Sequence, residues 1–113
     1  MAERRPGKQR PERTVIMMPH FARNKKRLTP KQQIAVDDAV KELMSNPLLG
    51  EPKAGALRAI RVHKFKVGPL QLLLAYHFDE KRNVVEAWAI GPHENFYGDL
   101  QDYIQARPGE KPR

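Results

Sequence analysis

The spacing of apolar residues predicts one long helix early in the chain. Thr29 precedes Pro30, and Gln32 lies three residues after Thr29, which are the residue types of a capping box with proline at the first helical position. The pattern predicts a helix over about 30–45. Its apolar residues recur at helical spacing, and they are Ile34, Val36, Ala39, Val40, Leu43 and Met44.

Shorter apolar runs predict four strands, at 14–18, 57–66, 70–78 and 83–90. Turn-forming residues separate the last three runs, so we expect hairpin connections between them. The segment at 46–56 contains two prolines and two glycines and is expected to be a loop.

Two further helices are predicted around these strands. Phe21 and Leu28 lie seven residues apart with basic residues between them, which indicates a short basic helix over 20–28. The elements together predict an α+β domain, in which a small antiparallel β-sheet carries the two N-terminal helices on one face and is followed by a C-terminal helix. That last helix, within 94–106, has one apolar face formed by Phe96, Leu100, Tyr103 and Ile104.

The composition is that of one folded domain with basic ends. A chain of 113 residues, 40% of them hydrophobic, is long enough for a single modest core. Arginine, lysine and proline dominate both ends, so we expect a disordered basic tail over 1–13, a domain over 14–106 and a flexible end over 107–113. No apolar run approaches the roughly 18 residues needed to span a bilayer, so no membrane partner is expected.

The charge balance narrows the classes of partner and of chemistry. With 21 basic and 13 acidic residues the formal charge is +8, which favours a polyanion such as nucleic acid, although small basic proteins also bind acidic proteins. The absence of cysteine excludes disulfides and thiolate chemistry and suits a reducing cytoplasm. Ser45 is the only serine, and no histidine and carboxylate residues have metal-ligand spacing, so neither a serine nucleophile nor a metal or cofactor is expected.

Two lysines are candidates for binding a phosphate. Alternation of side chains along a strand places Lys64 and Lys66 on one face, and Arg61 and Phe65 on the other. We expect Phe65 to mark the core side, which leaves the lysines as a cationic pair on an open face. A phosphodiester would relieve their mutual repulsion, although the same residues would also serve simply to keep an exposed sheet solvated.

His93 is the candidate for proton transfer. It follows the last predicted strand directly, a position where functional groups concentrate on a rigid scaffold. Of Phe96 and Tyr97 just beyond it, one is expected to enter the core and the other to remain free. The other three histidines are expected to act structurally, as a helix cap or as ordinary hydrogen-bonded side chains, and they are His20, His63 and His77.

These features resemble the RelE/ParE superfamily of toxins from bacterial type II toxin–antitoxin modules. The resemblance covers about 14–104, and it is carried by "KFK" at 64–66, "LLLAY" at 72–76 and "GPHENFYGDL" at 91–100. Two lysines separated by one residue precede a strand that ends in tyrosine, as in RelE-type toxins. The segment after the last strand is similar to the G-x-H-x-x-L-F-G ending of YafQ-type toxins, with His93 on their catalytic histidine and Tyr97 near their aromatic position.

The resemblance implies a RelE-like, microbial-RNase-like fold and a metal-independent endoribonuclease that cleaves mRNA on the ribosome. It implies His93 as general acid, Lys64 or Lys66 as phosphate clamp or base, and Tyr97 as a stacking or hydrogen-bonding contact. An imidazole with an ordinary pKa of about 6.5 and lysines aimed at a phosphate suit these roles. Further candidate RNA contacts are Arg61, Gln71, Asn95, Lys25, Lys26 and Arg27.

Leu73 departs from the family pattern, because RelE-type toxins carry an arginine at the matching strand position. The departure keeps open a second function, that of a ParE-like toxin that inhibits DNA gyrase without catalysis. A third interpretation is an inactivated homologue or a nucleic-acid-binding domain of the same fold. Either toxin is expected to be cytoplasmic and to be neutralised by a cognate antitoxin, whose acidic helical segment folds on the basic surface.

Overall fold

A computed structural model describes residues 12–107, which form one five-stranded sheet with helices on both faces. The α+β class is confirmed. The expected tail residues 1–11 and 108–113 lie outside the described range. In chain order the elements are β1 (Thr14–Met17), α1 (Pro19–Lys26), α2 (Pro30–Ser45), β2 (Glu51–Pro52), a short 3-10 helix (Gly55–Leu57), β3 (Arg61–Val67), β4 (Leu70–Asp79), β5 (Val84–Pro92) and α3 (Phe96–Ala106).

The sheet is mixed rather than antiparallel, which corrects the sequence-based prediction. Its strand order is β1-β5-β4-β3-β2, and the four strands from β2 to β5 are antiparallel neighbours. β1 instead runs parallel to β5, with Thr14 opposite Val84 and Met17 opposite Ala87. The chain leaves β1 at one edge, crosses through α1 and α2 and returns as β2 at the other edge, and a crossover of this kind permits a parallel pair.

The segment predicted as a loop contains structure of its own. β2 lies within 46–56, where no strand was expected, and pairs with the start of β3. The 3-10 helix after it occupies the beginning of the run predicted as a strand over 57–66, and Ile60 N–H donates to the Leu57 carbonyl at 2.9 Å. β3 therefore begins only at Arg61.

The long helix begins and ends where the sequence predicts. Thr29 Oγ1 accepts from Gln32 N–H at 3.2 Å while Gln32 Oε1 accepts from Thr29 N–H at 3.0 Å, so the capping box is confirmed. Ile34 is an exception to the predicted core face, because it is 63% exposed. It lies two residues before the buried Val36, which is about 200° around a helix with 100° per residue.

The sheet has a core on each face. The helix-pair face packs against α1 and α2, and its buried residues include Phe21, Val36, Leu43, Leu72, Leu74, Tyr76 and Val85. Phe65 is half-buried on this side, as predicted. The opposite side, which we call the α3 face, packs against α3, and its buried residues include Val62, Leu73, Ala75, Trp88, Phe96, Leu100, Tyr103 and Ile104.

A β-bulge in β5 shapes the α3 face. Ala75 of β4 is opposite Ala89, whereas the next residue, Tyr76, is opposite Ala87, so Trp88 is the extra residue on β5. A bulge lets neighbouring residues deviate from strict alternation. Trp88 and Ala89 consequently both belong to the core of the α3 face.

Arg13 belongs to the folded domain, although the expected tail extended over 1–13. Its Nε donates to Asn83 Oδ1 at 2.9 Å and its Nη1 donates to the Met44 carbonyl at 2.7 Å. The guanidinium also lies 5.6 Å from the centre of the Phe78 ring. These contacts fix the chain just before β1.

Tyr76 fixes the loop between α2 and β2. Its hydroxyl donates to the Pro47 carbonyl at 2.7 Å and accepts from Gly50 N–H at 2.8 Å. Burial raises the pKa of Tyr76, which outweighs the opposing influence of the Gly50 hydrogen bond and the Arg61 charge. Gly50 is required here, because an added Cβ would lie 2.7 Å from Tyr76 Cε1 and 3.0 Å from the Val62 carbonyl carbon.

The Tyr76→Phe variant is expected to lose about 1–3 kcal/mol of unfolding free energy, because it leaves the buried Gly50 N–H and the Pro47 carbonyl without a partner. Urea denaturation measures the loss. Tyr97→Phe is the matched control, since Tyr97 is half-buried and outside this loop. Equal losses in the two variants would contradict the assigned role of Tyr76.

None of the helices between residues 12 and 107 has both the length and the apolar character needed to cross a bilayer.

Candidate functional site

The sheet register brings the predicted lysines and His93 to the same end of the α3 face. Lys64 is opposite Leu73 on β4, and Leu73 is opposite Gly91 on β5. Residues directly opposite each other in a sheet place their side chains on the same face. Lys66 is opposite Gln71, and His93 follows β5 at the level of Gln71, because Leu72 is opposite Pro92.

A tight turn after β5 places His93 at the surface. Phe96 N–H donates to the His93 carbonyl at 3.1 Å, and Asn95 adopts a left-handed conformation with φ of 60°. Asparagine tolerates this conformation better than most residues. Asn95 stands at the N-cap position of α3 and its carbonyl accepts from Asp99 N–H at 2.9 Å, but its side chain makes no capping bond.

The two aromatic residues after His93 divide as predicted. Phe96 is 7% exposed and enters the core of the α3 face, whereas Tyr97 is half-buried. The rings of His93 and Tyr97 are 5.8 Å apart and nearly perpendicular, and Tyr97 stands edge-on to Phe96 at 5.4 Å. Because Phe96 is anchored, the Tyr97 ring is held beside an exposed imidazole.

The lysine pair is exposed beside a fully buried leucine. Lys64 and Lys66 both project into solvent. Leu73, on the neighbouring strand β4, is 0% exposed. The helix α3 covers Val62 and Leu73 but leaves this end of β3 open. β3 therefore contributes positive charge to the surface beside His93, whereas the position of Leu73 contributes none.

Lys53 is a further cation at this site, which the sequence analysis did not identify. Its Nζ donates to Glu51 Oε1 at 3.2 Å and lies 5.2 Å from the centre of the Tyr97 ring. Partial burial lowers the pKa of Lys53, but the hydrogen bond to Glu51 and the interactions with Tyr97 raise it by more, so the pKa lies above its usual value. The contact depends on how α3 packs against the sheet, which no local sequence pattern reports.

Two of the other histidines are hydrogen-bonded as predicted. His63 Nε2 lies 3.2 Å from Glu42 Oε1 of α2, on the helix-pair side of the sheet. His77 Nδ1 lies 2.8 Å from the Ala59 carbonyl, which requires that this nitrogen carry the proton. Both side chains therefore serve the fold.

His20 stacks on α3 and does not cap α1, whose N-cap is Met18. The imidazole lies 4.2 Å from the Tyr103 ring at an interplanar angle of 20°, and the Arg107 guanidinium is also 4.2 Å from that ring. Burial lowers the pKa of His20, and the charges of Arg23, Arg107 and Arg27 lower it further. Lowering the pH through the ordinary histidine range therefore weakens this α1–α3 contact, because His20 is protonated more readily in the unfolded chain than in the folded one.

The remaining candidate RNA contacts fall in different parts of the molecule. Arg61 lies on the helix-pair side, and its Nη1 donates to the Gly50 carbonyl at 2.8 Å and the Leu48 carbonyl at 3.2 Å. Gln71 is exposed next to Lys66. The structure therefore groups Gln71 and Asn95 with the lysine–histidine surface and assigns Arg61 to the loop.

The basic residues of α1 are only partly available. Lys25 forms an ion pair with Asp37 at 2.6 Å, whereas Lys26 and Arg27 are exposed. Arg27 lines a groove of about 380 Å³ that lies between α1 and the start of α3 and also includes Pro92 and Glu94. Of this basic cluster, Arg27 thus lies on the same groove as the two residues that flank His93.

A larger cavity, of about 720 Å³, lies at the other end of the sheet. It is lined by residues of the β4–β5 turn and of the approach to β3, including Arg58, His77 and Asp79. This cavity is distant from His93 along the strands, so it is not part of the candidate site despite its larger volume. Within residues 12–107, no three histidine, aspartate or glutamate side chains are grouped as metal ligands.

The fold is that of a small toxin of the RelE/ParE type. A family model for the ParE-like toxin of type II bacterial toxin–antitoxin systems matches residues 15–101, and the chain belongs to that family. A search of curated protein sequences found no match.

Solved structures show the same fold at low sequence identity. The toxin–antitoxin complex RelBE2 from Mycobacterium tuberculosis has 21% identity, covers 73% of this chain and 99% of its own, and gives a TM-score of 0.65. A mutant of the free Escherichia coli toxin RelE has 14% identity, covers 82% of this chain and 98% of its own, and gives a TM-score of 0.66. The intact Escherichia coli RelBE toxin–antitoxin complex has 15% identity, covers 73% of this chain and 98% of its own, and gives a TM-score of 0.60.

Proposed function

We propose that this toxin is a metal-independent, ribosome-dependent mRNA endoribonuclease that inhibits translation. The observation that carries the proposal is the convergence of His93, Tyr97, Lys64 and Lys66 at one end of the α3 face. These groups come from one strand, β3, and from the turn after β5 and the start of α3, which are distant from β3 in sequence. They supply a proton donor, an aromatic surface and two amines, one to bind the phosphate as a cation and the other to act as the base, which are the components of acid–base cleavage of RNA.

The reaction begins when the ribose 2′-oxygen attacks the adjacent phosphorus. One of the two lysines, as an ammonium, binds the non-bridging oxygens, where negative charge increases, and the other, as a neutral amine, accepts the proton of the 2′-hydroxyl. The bond from phosphorus to the 5′-oxygen then breaks, and His93 donates a proton to that leaving oxygen. The products are a 2′,3′-cyclic phosphate and a free 5′-hydroxyl, while Tyr97 stacks on a base next to the cleaved bond.

A ParE-like gyrase inhibitor is the second candidate function. Leu73 favours it, because this leucine is fully buried at the point where RelE-type toxins are expected to place an arginine. The name of the matching family model is also ParE-like. In this case the same basic surface would bind gyrase without catalysing a reaction.

Either function is consistent with a cytoplasmic protein held inactive by a cognate antitoxin. Two of the similar structures are toxin–antitoxin complexes. The charge of +8 favours an acidic partner segment, which would fold as it covers the basic surface.

The two functions are separated by adding the purified toxin to a translation reaction and to a gyrase supercoiling assay. We expect cleavage of ribosome-bound mRNA with 2′,3′-cyclic phosphate ends, no loss of supercoiling, and suppression of cleavage by the antitoxin. Loss of supercoiling without mRNA cleavage would establish the gyrase alternative. Inactivity in both reactions would contradict both functions.

A further inference from the structure

Lys53 has no role in the nuclease chemistry proposed above, although it lies on the same face of the sheet. Its backbone N–H donates to the Ile60 carbonyl at 3.0 Å, which extends the pairing in which Glu51 is opposite Val62. Residues opposite each other share a face, so Lys53 joins Val62 and Lys64 on the α3 face.

The Lys53 ammonium is held beside Tyr97 in the free protein. The side chain of Lys53 is 24% exposed, whereas that of its partner Glu51 is 65% exposed. The lysine is therefore fixed against the protein, and the carboxylate that balances it extends into solvent. An incoming phosphate can displace Glu51 without moving Lys53.

Lys53 acts as a cation and not as a base at neutral pH. Partial burial disfavours its charge, but Glu51 and Tyr97 favour the charge more strongly and raise the pKa of Lys53 above its usual value. An ammonium of this kind binds phosphate as a point charge.

The position of Lys53 matches a second phosphate along an RNA strand. Ile60, which is opposite Lys53, precedes Lys64 by four positions, about 13 Å at the strand rise of roughly 3.3 Å per residue. Tyr97 connects the two regions, because its ring centre is 5.2 Å from Lys53 Nζ and 5.8 Å from the His93 ring centre. A strand whose cleaved phosphate lies at Lys64 and Lys66 would pass Tyr97 and then reach Lys53.

We propose that Lys53 binds a further phosphate of the same RNA strand, beyond the one held by Lys64 and Lys66, and thereby directs single-stranded RNA across Tyr97. The inference rests on the nuclease function proposed above. It makes Lys53 a substrate-binding residue whose contribution is to affinity and not to the chemical step.

Fluorescence anisotropy of a short RNA with 2′-O-methyl riboses tests this contact. The methylated RNA cannot be cut, and its affinity is measured across a range of KCl concentrations. Lys53→Met is expected to weaken binding several-fold at low salt. It is also expected to reduce the slope of log affinity against log salt by about 0.7, the value for one phosphate contact on single-stranded nucleic acid. Lys53→Arg should restore both quantities, and Glu51→Gln should bind more tightly than the wild type.

Lys41→Met is the matched control, because it removes one exposed lysine from α2 on the other side of the sheet. An unchanged salt slope in Lys53→Met, an equal change in Lys41→Met, or no binding by the wild type at low salt would overturn the inference. The RNA is not cleaved in this measurement, so a wild type that fails to cut mRNA would contradict the nuclease function alone.

Discussion

Replacement of His93 by alanine is expected to slow mRNA cleavage by about 10²–10⁴-fold, the usual contribution of a positioned general acid. The variant loses the proton donor for the 5′-oxygen. The fold should be preserved because His93 is exposed, and its removal takes away only the edge contact with the Tyr97 ring, whose centre is 5.8 Å away. Cleavage of a defined message in a translation reaction measures the effect. Thermal unfolding of the same preparation checks that the fold is intact.

His63→Ala is the control for the loss of one imidazole, since His63 pairs with Glu42 on the opposite side of the sheet. It is expected to cleave at close to the wild-type rate. A substrate with sulfur in place of the 5′-bridging oxygen isolates the acid step, because a thiolate leaves without needing a proton. If His93 is the acid, His93→Ala should cleave this substrate almost as fast as the wild type; an undiminished difference would assign His93 another role.

Local patterns predicted α2 and the core face of α3 because their determinants lie within a few residues. The capping box at Thr29 involves residues three apart, and Phe96 and Leu100 are one helical turn apart. β1 could be predicted as a strand but not as the parallel neighbour of β5. Its pairing is decided by the crossover through two helices, and a run of four residues carries no signal for it.

The members of the candidate site that local sequence patterns mark could be predicted, and the member that depends on tertiary packing could not. His93 and the lysine pair were recognisable from a strand end and from alternation, and Tyr97 from its neighbour Phe96. Lys53 was not, because it lies in a segment whose composition predicts a loop and its contact with Tyr97 exists only after α3 has packed. Arg61 shows the opposite case, since its charge favoured RNA whereas its bonds to the Leu48 and Gly50 carbonyls serve the loop.

Replacement of both Lys64 and Lys66 by methionine is expected to reduce mRNA cleavage by about 10²–10³-fold, the scale found when a donor that stabilises developing negative charge is removed. Both side chains are exposed on one face and two positions apart, so the double variant removes a repulsive pair without opening a cavity. Its unfolding free energy should equal or exceed that of the wild type. Cleavage in a translation reaction and urea denaturation measure the two effects.

Opposite changes in activity and stability would distinguish a phosphate site from a merely solvated surface. Natural proteins commonly retain such costly charges where activity needs them. The double variant Lys31→Met and Lys41→Met removes the same total charge from exposed positions on α2 and should leave cleavage nearly unchanged. If both double variants lose activity equally, the net charge and not the site on β3 governs binding. If only the β3 pair matters, catalysis needs these two lysines and is compatible with the neighbouring apolar Leu73.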